Sequence, residues 1–576
     1  MKFTSSPLLS QLLPAWRARF VAALLLLAFG VLAARSVYLQ VVRNDFLQQK
    51  GESRYSRVIE LSATRGRIVD RSGDVMAVST PVKSIWAIPE DARLTPSQAR
   101  ELAALTEMDV RELNRRLATE KDFIFIKRQI PPDTAEKIAA LNLPGIHQQR
   151  EYRRYYPGGE VTAHILGFTG VEDKGQEGIE LAFDAQLAGK PGSRRVIKDR
   201  LGRIVEDVES IKSPQEGKDL ALALDAKIQY LAFTHLKQAL AEHKAKAGGV
   251  VVLDAKNGEV LALANLPAYN PNNRLKLTGA QLRNRALTDV FEPGSTMKPF
   301  TAALALEKGR FRFDSQIQTA PGRLTIGNAT IHDAHMHGIL TVAQVVQKSS
   351  NVGTAKIAAT FAPEEMWQMF DELGFGRPLR LGFPGEVGGR LRPFKTWRPI
   401  EQATMAYGHG ISVTLMQLAR AYLAFARDGD LIPLSLTRLE SPPLAGKSIF
   451  SAQTAREVRA MLEMAVQPGG TAPKAQIPGY RVAGKTGTAH KLEGGAYAER
   501  YVSAFVGFAP ASNPKLVVAV MIDEPSAGKY YGGEVAAPVF AQVMAGSLRT
   551  LGVPPDAPLR PVQVAREPAP LVPEKL

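Results

Sequence analysis

The stretch AGGVVVLDAKNGEVLALAN, residues 247–265, contains two β-rich runs that meet at Asn257-Gly258. Asn-Gly is the strongest short signal for a β-hairpin, because both residues tolerate the positive φ of a tight turn. After a helical middle, strand-like runs return in the last third of the chain, at 481–491, 500–511 and 515–523. Strands at both ends of a helical middle predict an α/β (α+β) domain in which distant segments close a central antiparallel sheet covered by helices.

A short motif lies at the start of the predicted helical middle, in FEPGSTMKPF at residues 291–300. Ser295 precedes Lys298 by three positions, and on a helix such positions share a face, so the amine can reach the hydroxyl. The helix N-terminus adds a positive field that disfavours an ammonium group and supports an oxyanion. The same spacing recurs at Ser512 and Ser526, but neither begins a helix. The alternative for Ser295 is an ordinary helix start that contains a lysine.

Two further motifs have the residue types that acyl transfer needs. Lys485, in Lys-Thr-Gly-Thr, is a second cation that would lower the pKa of a lysine base. Gly487 in the same strand-like run would allow a substrate backbone to approach closely. Ser349 and Asn351 open another predicted helix and offer a hydroxyl for proton relay and an amide for a substrate carbonyl. Each motif alone is weak, but their joint order indicates chemistry at Ser295.

The composition limits the other possibilities. The 576-residue chain has no cysteine, which excludes thiolate catalysis, disulfides and cysteine-based metal sites. The net charge of +16 is spread along the whole length and is not gathered with aromatic residues, so we expect no nucleic-acid binding. A positive net charge is suited to a protein that lies beside an anionic membrane and an anionic polymer.

An apolar run near the N-terminus predicts a membrane anchor. FVAALLLLAFGVLAA occupies residues 20–34 and the pattern resumes after Arg35, so a helix over 19–42 reaches the roughly 20 residues that a bilayer requires. The alternative is a signal peptide cut near Ala33, which we disfavour because the apolar pattern continues past the cut. Basic residues before the run predict that residues 1–18 stay in the cytoplasm and that the rest is exported.

The exported part begins with a stretch that gathers no catalytic cluster. A hairpin is predicted around Ser72-Gly73, and helices are predicted after Thr95 and at 133–141. We interpret this stretch as a mixed α+β spacer. The predicted layout is therefore a spacer over 43–230, a catalytic domain over 231–550 and a disordered proline-rich tail over 551–576.

These motifs resemble those of the class B penicillin-binding proteins, most closely the division-specific members. The resemblance covers nearly the full length, from the anchor through RGRIVDRSGDVMAVS, FEPGSTMKP, KSSNVG, YGHGISVT and KTGTAHK to the C-terminal run at 509–540. Glu292-Pro293 ahead of the active-site turn favours the division-specific over the elongation-specific relatives. The resemblance implies a single transmembrane helix, an elongated non-catalytic pedestal over 43–230 and a β-lactamase-like transpeptidase domain.

The resemblance also implies a reaction, septal peptidoglycan cross-linking by serine D,D-transpeptidation. Ser295 would attack the penultimate D-alanine carbonyl of a D-Ala-D-Ala stem peptide and form an acyl-enzyme. Lys298 would take the serine proton, although the identity of the base is open in this superfamily, and Ser349 would relay a proton to the leaving amine. β-Lactam antibiotics would acylate the same serine.

The remaining implied roles concern binding. Asn351 would hold the substrate amide, and Lys485 would keep the local field positive. Thr486 and Thr488, on either side of Gly487, would bind the terminal carboxylate. The backbone N–H groups of Ser295 and Thr488 would form the oxyanion hole.

No cofactor and no metal is implied by the resemblance. The implied partners are the peptidoglycan stem peptides, an FtsW-type glycan polymerase and other division proteins. The implied location is the bacterial inner membrane at the division septum, with the catalytic domain in the periplasm.

Three rival functions stay open at the level of sequence. An elongation-specific transpeptidase would use the same site, whereas a β-lactamase would need a water-activating group and usually lacks the long spacer. A non-catalytic β-lactam sensor or scaffold would retain the acylation chemistry alone. A glycosyltransferase activity is not expected, because residues 43–230 offer no paired-carboxylate arrangement.

Other histidines and acids suggest a metal site less strongly. His332, Asp333, His335 and His337 are crowded into IHDAHMHG, but such imidazoles in a loop are more often solvent-facing. We therefore predict no metal there. His409 and His490 are expected to pack or to hydrogen-bond rather than to act as acids or bases.

Overall fold

A computed structural model describes residues 15–43, 56–121, 123–198, 204–275, 277–441, 446–494 and 496–558. The chain divides into two compact units. One unit contains the chain up to Ala63 together with Gly189–Glu216, and the other contains Thr64–Ala188 together with the chain from Gly217 onward. Most of the predicted cytoplasmic tail and of the proline-rich tail lies outside the described residues, and the predicted domain boundaries stay predictions.

The described strands alternate with helices along most of the chain. In chain order they are β1 (Ser56–Leu61), β2 (Ile68–Val69), β3 (Val75–Ala87), β4 (Ile124–Ile130), β5 (Ile146–Tyr155), β6 (Gly192–Lys198), β7 (Ile204–Lys212), β8 (Leu220–Ala221), β9 (Ala247–Asp254), β10 (Val260–Leu266), β11 (Gln316–Gln318), β12 (Arg323–Ile326), β13 (Ala329–His332), β14 (Ile339–Thr341), β15 (Asp430–Leu431), β16 (Lys447–Ser448), β17 (Ala483–Glu493), β18 (Ala496–Ala509) and β19 (Leu516–Asp523).

The described α-helices are long in the membrane-anchor and catalytic parts and short in the connections. In chain order they are α1 (Ala15–Val37), α2 (Pro96–Leu105), α3 (Val110–Leu117), α4 (Pro132–Ala140), α5 (Ala163–Leu166), α6 (Gly178–Ala182), α7 (Asp184–Leu187), α8 (Ala226–Glu242), α9 (Gly279–Leu282), α10 (Arg285–Thr288), α11 (Lys298–Glu307), α12 (Val342–Lys348), α13 (Asn351–Ala358), α14 (Pro363–Glu372), α15 (Pro399–Met405), α16 (Leu415–Ala426), α17 (Ala452–Val466), α18 (Gly532–Val535) and α19 (Ala537–Thr550).

The first unit contains the N-terminal helix and a small sheet. The helical segment over Ala15–Val41 has 27 residues and a mean hydropathy of 2.2, and none of its most apolar window is buried. It is therefore long and apolar enough to cross a membrane, as the sequence predicts for residues 19–42. The sheet consists of β1, β6 and β7, with antiparallel pairing throughout.

The part of the second unit before α8 carries a mixed sheet in the order β4-β3-β2-β8, and β5 pairs with β3. The predicted hairpin around Ser72-Gly73 is confirmed, because β2 and β3 pair across it and Gly73 has φ +95°. The predicted cap of α2 is also confirmed, since the backbone N–H of Gln98 donates to Thr95 Oγ1 at 3.3 Å. Local sequence signals were sufficient here because turns and caps depend on neighbouring residues.

A buried ionic cluster fixes the start of this second unit. Arg65 donates from Nε to Glu180 at 2.6 Å and from Nη1 to Asp184 at 2.7 Å. Arg154 donates to the second oxygen of Glu180, also at 2.6 Å. Because a buried carboxylate is stable only when it is fully paired, removal of either arginine would leave an uncompensated charge.

The central sheet of the catalytic part has the order β10-β9-β19-β18-β17 and is antiparallel throughout. This confirms the prediction that distant segments close one sheet. Gly258, with φ +76°, turns the β9–β10 hairpin at the predicted Asn-Gly position. The sheet ends at β17, whose outer edge pairs with no other described strand.

The two faces of this sheet are buried in different cores. Val250 and Val252 of β9 pack with α8 and α19, and Val251 and Leu253 pack with the helices around α16. Alternate residues of a strand point to opposite faces, so a continuous apolar run is what a strand covered on both sides requires. The helical layer around α16 also contains Phe300 of α11, which fixes the turn that carries Ser295.

Candidate active site

Ser295 lies on a 3₁₀ turn, Gly294–Met297, that leads directly into α11. Gly294 has φ +56°, a left-handed conformation that favours glycine, and its N–H donates to Gly408 O at 3.1 Å. Tyr422 of α16 donates to Thr296 O at 2.8 Å from the core side. The turn is thus anchored on both sides, while the Ser295 side chain itself stays partly exposed.

Lys298 begins α11 one turn beyond Ser295 and is 1% exposed. Its Nζ donates to Ser349 Oγ at 3.1 Å and to the backbone carbonyl of Ser349. Among the residues that the structure describes, the hydroxyl of Ser295 has no hydrogen bond to Lys298. The Lys298 amine is directed at the second motif, and its approach to the Ser295 hydroxyl stays a prediction.

Lys485 of β17 approaches the same serine from the opposite side. Its Nζ donates to Ser349 Oγ at 3.0 Å and to Thr486 Oγ1 at 3.3 Å, and its side chain is fully buried. Two amines from segments nearly two hundred residues apart thus meet on one hydroxyl. The structure brings together the Ser-x-x-Lys, Ser-x-Asn and Lys-Thr-Gly motifs that the sequence singled out.

Burial controls the protonation of this pair. Burial and then the positive charge of Lys485 lower the pKa of Lys298 well below its ordinary value, and the charge of Asp333 opposes this shift. Burial lowers the pKa of Lys485 to about 7. Because the charge of Lys485 disfavours the charged form of Lys298, the pair favours a neutral Lys298 beside a protonated Lys485.

The Ser349-Ser350-Asn351 segment joins α12 to α13 and depends on Asp333. Ser349 is held at φ +61°, while Asp333 accepts from Ser350 Oγ at 2.7 Å and from the N–H of Val352 at 2.9 Å. Asn351 donates from Nδ2 to His332 O at 2.8 Å. The sequence analysis considered Asp333 only as a metal ligand and missed its role in holding the Ser349 segment.

The Lys-Thr-Gly strand lies directly against the Ser295 turn. A Cβ on Gly487 would stand 2.7 Å from Pro293 O and 3.0 Å from Thr296 Cγ2, so only glycine fits here. Thr488 Oγ1 accepts from the N–H of Gly532 at 3.0 Å, which orients this side chain at the edge of the sheet. The site can therefore present a strand edge to an extended substrate next to a partly exposed hydroxyl.

Thr486 has a partner that the sequence did not indicate. Its Oγ1 lies 3.0 Å from Thr471 Oγ1 and also accepts from Lys485. Thr471 lies on the segment after α17, 15 positions before Thr486. The contact completes a row of hydroxyl groups beside the buried amines.

A second unpredicted group stands in front of the nucleophile turn. Glu292 accepts from the N–H of Gly410 at 2.7 Å and from Tyr497 at 3.1 Å, and it lies 3.3 Å from Nδ1 of His409. Burial alone would raise the pKa of Glu292, but the bonds from His409 and Gly410 lower it overall. His409 is therefore a hydrogen-bonding residue, as predicted, and so is His490, whose Nδ1 contacts Ala498 O.

The other two Ser-x-x-Lys matches lie in surface structure. Ser512 donates to Asp556 at 2.6 Å, and Ser526 donates to Lys244 O at 2.8 Å. In the described part of the chain, no cluster of three or more histidine, aspartate or glutamate side chains could hold a metal ion. Within IHDAHMHG, Asp333 is bonded to the α13 segment and His335 is exposed.

The fold and this site define a class of serine enzymes in which an antiparallel sheet and a helical layer hold a serine, two lysines and a Lys-Thr-Gly edge strand. A model of the penicillin-binding protein transpeptidase domain matches residues 248–545, and a model of the penicillin-binding protein dimerisation domain matches residues 60–222. The chain belongs to the penicillin-binding protein family and carries both of these domains.

Named relatives agree with this assignment. The chain is 46% identical to the probable peptidoglycan D,D-transpeptidase PenA of Neisseria gonorrhoeae, with 94% of each chain covered. It is 43% identical to the peptidoglycan D,D-transpeptidase FtsI of Escherichia coli, over 94% of this chain and 93% of that one. Among solved structures, the transpeptidase domain of Burkholderia pseudomallei penicillin-binding protein 3 is 50% identical, with a TM-score of 0.55 over 58% of this chain and 98% of that chain.

Proposed function

We propose that this protein cross-links septal peptidoglycan by serine D,D-transpeptidation of D-Ala-D-Ala stem peptides. The observation that carries the proposal is the convergence of Lys298 and Lys485 on the hydroxyl of Ser349, beside Ser295 and the edge of β17. The names of the relatives give the same reaction, peptidoglycan D,D-transpeptidation, for those proteins.

In the proposed acylation, Ser295 Oγ adds to the carbonyl carbon of the penultimate D-alanine. The serine proton passes to the neutral amine of Lys298 and then through Ser349 to the nitrogen of the terminal D-alanine. The C–N bond breaks, D-alanine leaves, and an ester to Ser295 remains. The lowered pKa of Lys298 supports its role as the base, because only a neutral amine accepts a proton.

In the proposed deacylation, an amine from a neighbouring stem peptide adds to the ester carbon. The amine proton returns along the same path to Ser295, whose C–O bond to the acyl group breaks as the new amide forms. Lys485 keeps the field positive, and the N–H groups of Ser295 and Thr488 bind the developing oxyanion. Asn351 holds the substrate amide, and Thr486 and Thr488 bind the terminal carboxylate beside Gly487.

We further propose a single-pass inner-membrane topology, with residues 1–18 in the cytoplasm and the enzyme in the periplasm at the septum. The support is the apolar segment over Ala15–Val41 and the basic residues before it. In this layout residues 43–230 are a pedestal and residues 231–550 the transpeptidase domain. Partners include an FtsW-type glycan polymerase and other division proteins. A fluorescent fusion expressed in dividing cells tests this: mid-cell signal supports the proposal, and uniform signal contradicts the septal assignment.

The reaction is tested with a purified donor peptide ending in D-Ala-D-Ala and a labelled D-amino acid as acceptor. The proposal predicts release of D-alanine and incorporation of the label by the wild type, and neither by Ser295→Ala. Label incorporation by Ser295→Ala would overturn the assignment. In parallel, a stable band with fluorescent penicillin is expected, whereas rapid turnover of the drug would indicate a β-lactamase.

A further inference from the structure

A cavity of about 460 Å³ lies in the part of the chain between β3 and β5, away in sequence from every active-site motif. Its lining runs from Arg115, near the end of α3, to Phe125 of β4. The described residues that line it include three cations, Arg115, Arg116 and Lys121, and no acid. The cavity therefore favours a ligand that carries negative charge.

The cations around the cavity are incompletely neutralised. Arg115 and Arg116 share one carboxylate, that of Glu112, one turn earlier on α3. Lys121 is exposed, and it forms no ion pair in the described part of the chain. Two guanidinium groups on one carboxylate and one free ammonium leave an excess of positive charge.

Aromatic side chains form the other side of the cavity. Trp86 of β3 lies opposite Phe125 of β4 and opposite His147 of β5, so these side chains stand on one face of the sheet. The ring centroid of Phe123 lies 5.0 Å from that of Trp86 and 4.8 Å from that of Phe125. Phe123 is nevertheless 43% exposed. The cavity thus contains an aromatic ring that its neighbours hold in place and that water still reaches.

The core of this region uses the opposite face of the same strands. Ile85 of β3 and Ile126 of β4 pack there with α2, α3 and α4, whereas Phe123 and Trp86 are not members of that core. The exposure of Phe123 is therefore not imposed by packing of the core. Its replacement by a small residue should leave the fold intact.

Arg116 opposes the addition of a peptide strand to the free edge of β4. This strand ends its sheet, with β3 on its paired side. Arg116 Nη1 donates to Ile126 O at 3.1 Å and to Phe125 O at 3.4 Å. An extended peptide that added to this edge would compete with Arg116 for the same carbonyls. The cavity favours a ligand that is recognised by its rings and its charge instead.

We infer that this cavity binds the glycan chain of peptidoglycan, with one sugar ring on Phe123 and carboxylates of the chain at Arg115 and Lys121. The C–H face of an amino sugar packs on an aromatic ring because removal of apolar surface from water is favourable. Carboxylates on lactyl groups or stem peptides pair with the cations. The inference rests on the proposed function, which supplies peptidoglycan as the polymer. It adds a contact with the substrate away from the residues that react.

The probe is a glycan chain from which an amidase has removed the stem peptides. Removal leaves a free lactyl carboxylate on each muramic acid and no D-Ala-D-Ala end for the Ser295 site. A chitin oligosaccharide of matched length has the same linkage without carboxylates. Fluorescence anisotropy measures binding of both labelled chains to the full-length protein in detergent micelles. The glycan should bind about fivefold more tightly than chitin, as expected for a few exposed ion pairs, and added salt should reduce this ratio.

Variants separate the ring from the charges. Phe123→Ala should weaken binding of both chains about fivefold, because both use the ring. Lys121→Glu should weaken binding of the glycan alone and bring the ratio close to one. Arg100→Glu makes the same change of charge at an exposed arginine of α2 that does not line the cavity, and it should keep both wild-type affinities.

Three results would overturn the inference. They are the absence of binding or equal affinity for the two chains on the wild type, wild-type affinities in both Phe123→Ala and Lys121→Glu, and a polyglutamate peptide that binds as tightly as the glycan. Penicillin acylation of Ser295 should be unchanged in all these variants. Its absence in the wild type would contradict the proposed function and is measured separately from glycan binding.

Discussion

Lys298 and Lys485 donate to the same oxygen, Ser349 Oγ, at 3.1 and 3.0 Å. The two amines are buried, and no carboxylate accepts a hydrogen bond from either in the described part of the chain. Burial of two cations is costly, so an arrangement of this kind lowers the pKa of at least one amine and favours its neutral form. The convergence puts both amines on the hydroxyl of Ser349, and Lys298 begins α11 three residues after Ser295.

Loss of the Lys298 amine should lower the acylation rate without lowering the stability of the fold. Lys298→Met should reduce the rate of penicillin acylation about a thousandfold, because a general base of this type contributes on that order. The fold should be retained or stabilised, since the variant buries an apolar group in place of an amine. Stopped-flow acylation and thermal unfolding measure the two effects. Lys308→Met, at an exposed position just after α11, is the matched control and should leave both unchanged.

The rate of acylation should depend on pH with a bell shape. It should rise as Lys298 loses its proton and fall as Lys485, whose pKa is about 7, loses the positive charge that the oxyanion requires. Lys485→Arg should move the falling limb to higher pH, because a guanidinium stays protonated. If Lys485→Arg and the wild type show the falling limb at the same pH, the deprotonation of Lys485 is not the cause of that limb.

The same lowered pKa makes a prediction for stability. Between the folded and the unfolded pKa of Lys298, the unfolded chain binds a proton that the folded chain does not. The free energy of unfolding of the wild type should therefore increase relative to that of Lys298→Met as pH rises from about 7 towards about 10. Denaturant titrations of both proteins across this range give the difference. A difference that does not change with pH would mean that Lys298 keeps its ordinary pKa.

Asp333 should act as a positioning residue for the Ser349 segment. Asp333→Asn weakens the bonds to Ser350 and Val352 and removes a charge that opposes the lowered pKa of Lys298. Acylation should slow by about tenfold or more, and the rising limb of its pH profile should move to lower pH. His335→Ala, an exposed change in the same loop, should shift neither. If Asp333→Asn slows acylation but leaves the rising limb of the pH profile at the same pH, the role of Asp333 is purely structural.

The contact of Gly487 with the nucleophile turn should be intolerant of a side chain. In Gly487→Ala the new Cβ would meet Pro293 O at 2.7 Å, so the edge strand and the Ser295 turn must separate. We expect acylation to fall by more than about a hundredfold, as for a misplaced reacting group. Gly279→Ala has open space around the new Cβ and serves as the control. A wild-type acylation rate in Gly487→Ala would show that the reaction does not require close contact between β17 and the Ser295 turn.

The features that sequence reasoning predicted are those that neighbouring residues determine. The Asn257-Gly258 hairpin, the Thr95 cap and the helix after Ser350 each rest on a turn or cap a few residues long. The three motifs also predicted which residues come together in the site, because the order of the motifs along the chain matched that of a known family. The exact aim of the Lys298 amine did not follow, since the helix spacing allows it to face Ser295 or Ser349.

The features that the sequence did not reveal are contacts between distant segments. Asp333 lies 17 positions from Ser350, and Glu292 lies 118 positions from Gly410. Such contacts depend on how the sheet and the helical layer bring these segments together, and no local pattern encodes them.

The central claim is that Ser295 is the nucleophile, and mass spectrometry after benzylpenicillin treatment tests it most directly. Trypsin should release Ala286–Lys308, because the bond after Lys298 precedes Pro299. This peptide also contains Thr288, Thr296 and Thr301, so fragmentation must place the penicilloyl group. The account predicts the adduct on Ser295, and none in Ser295→Ala. An adduct on another residue of the wild-type protein, or one that persists in Ser295→Ala, would contradict it.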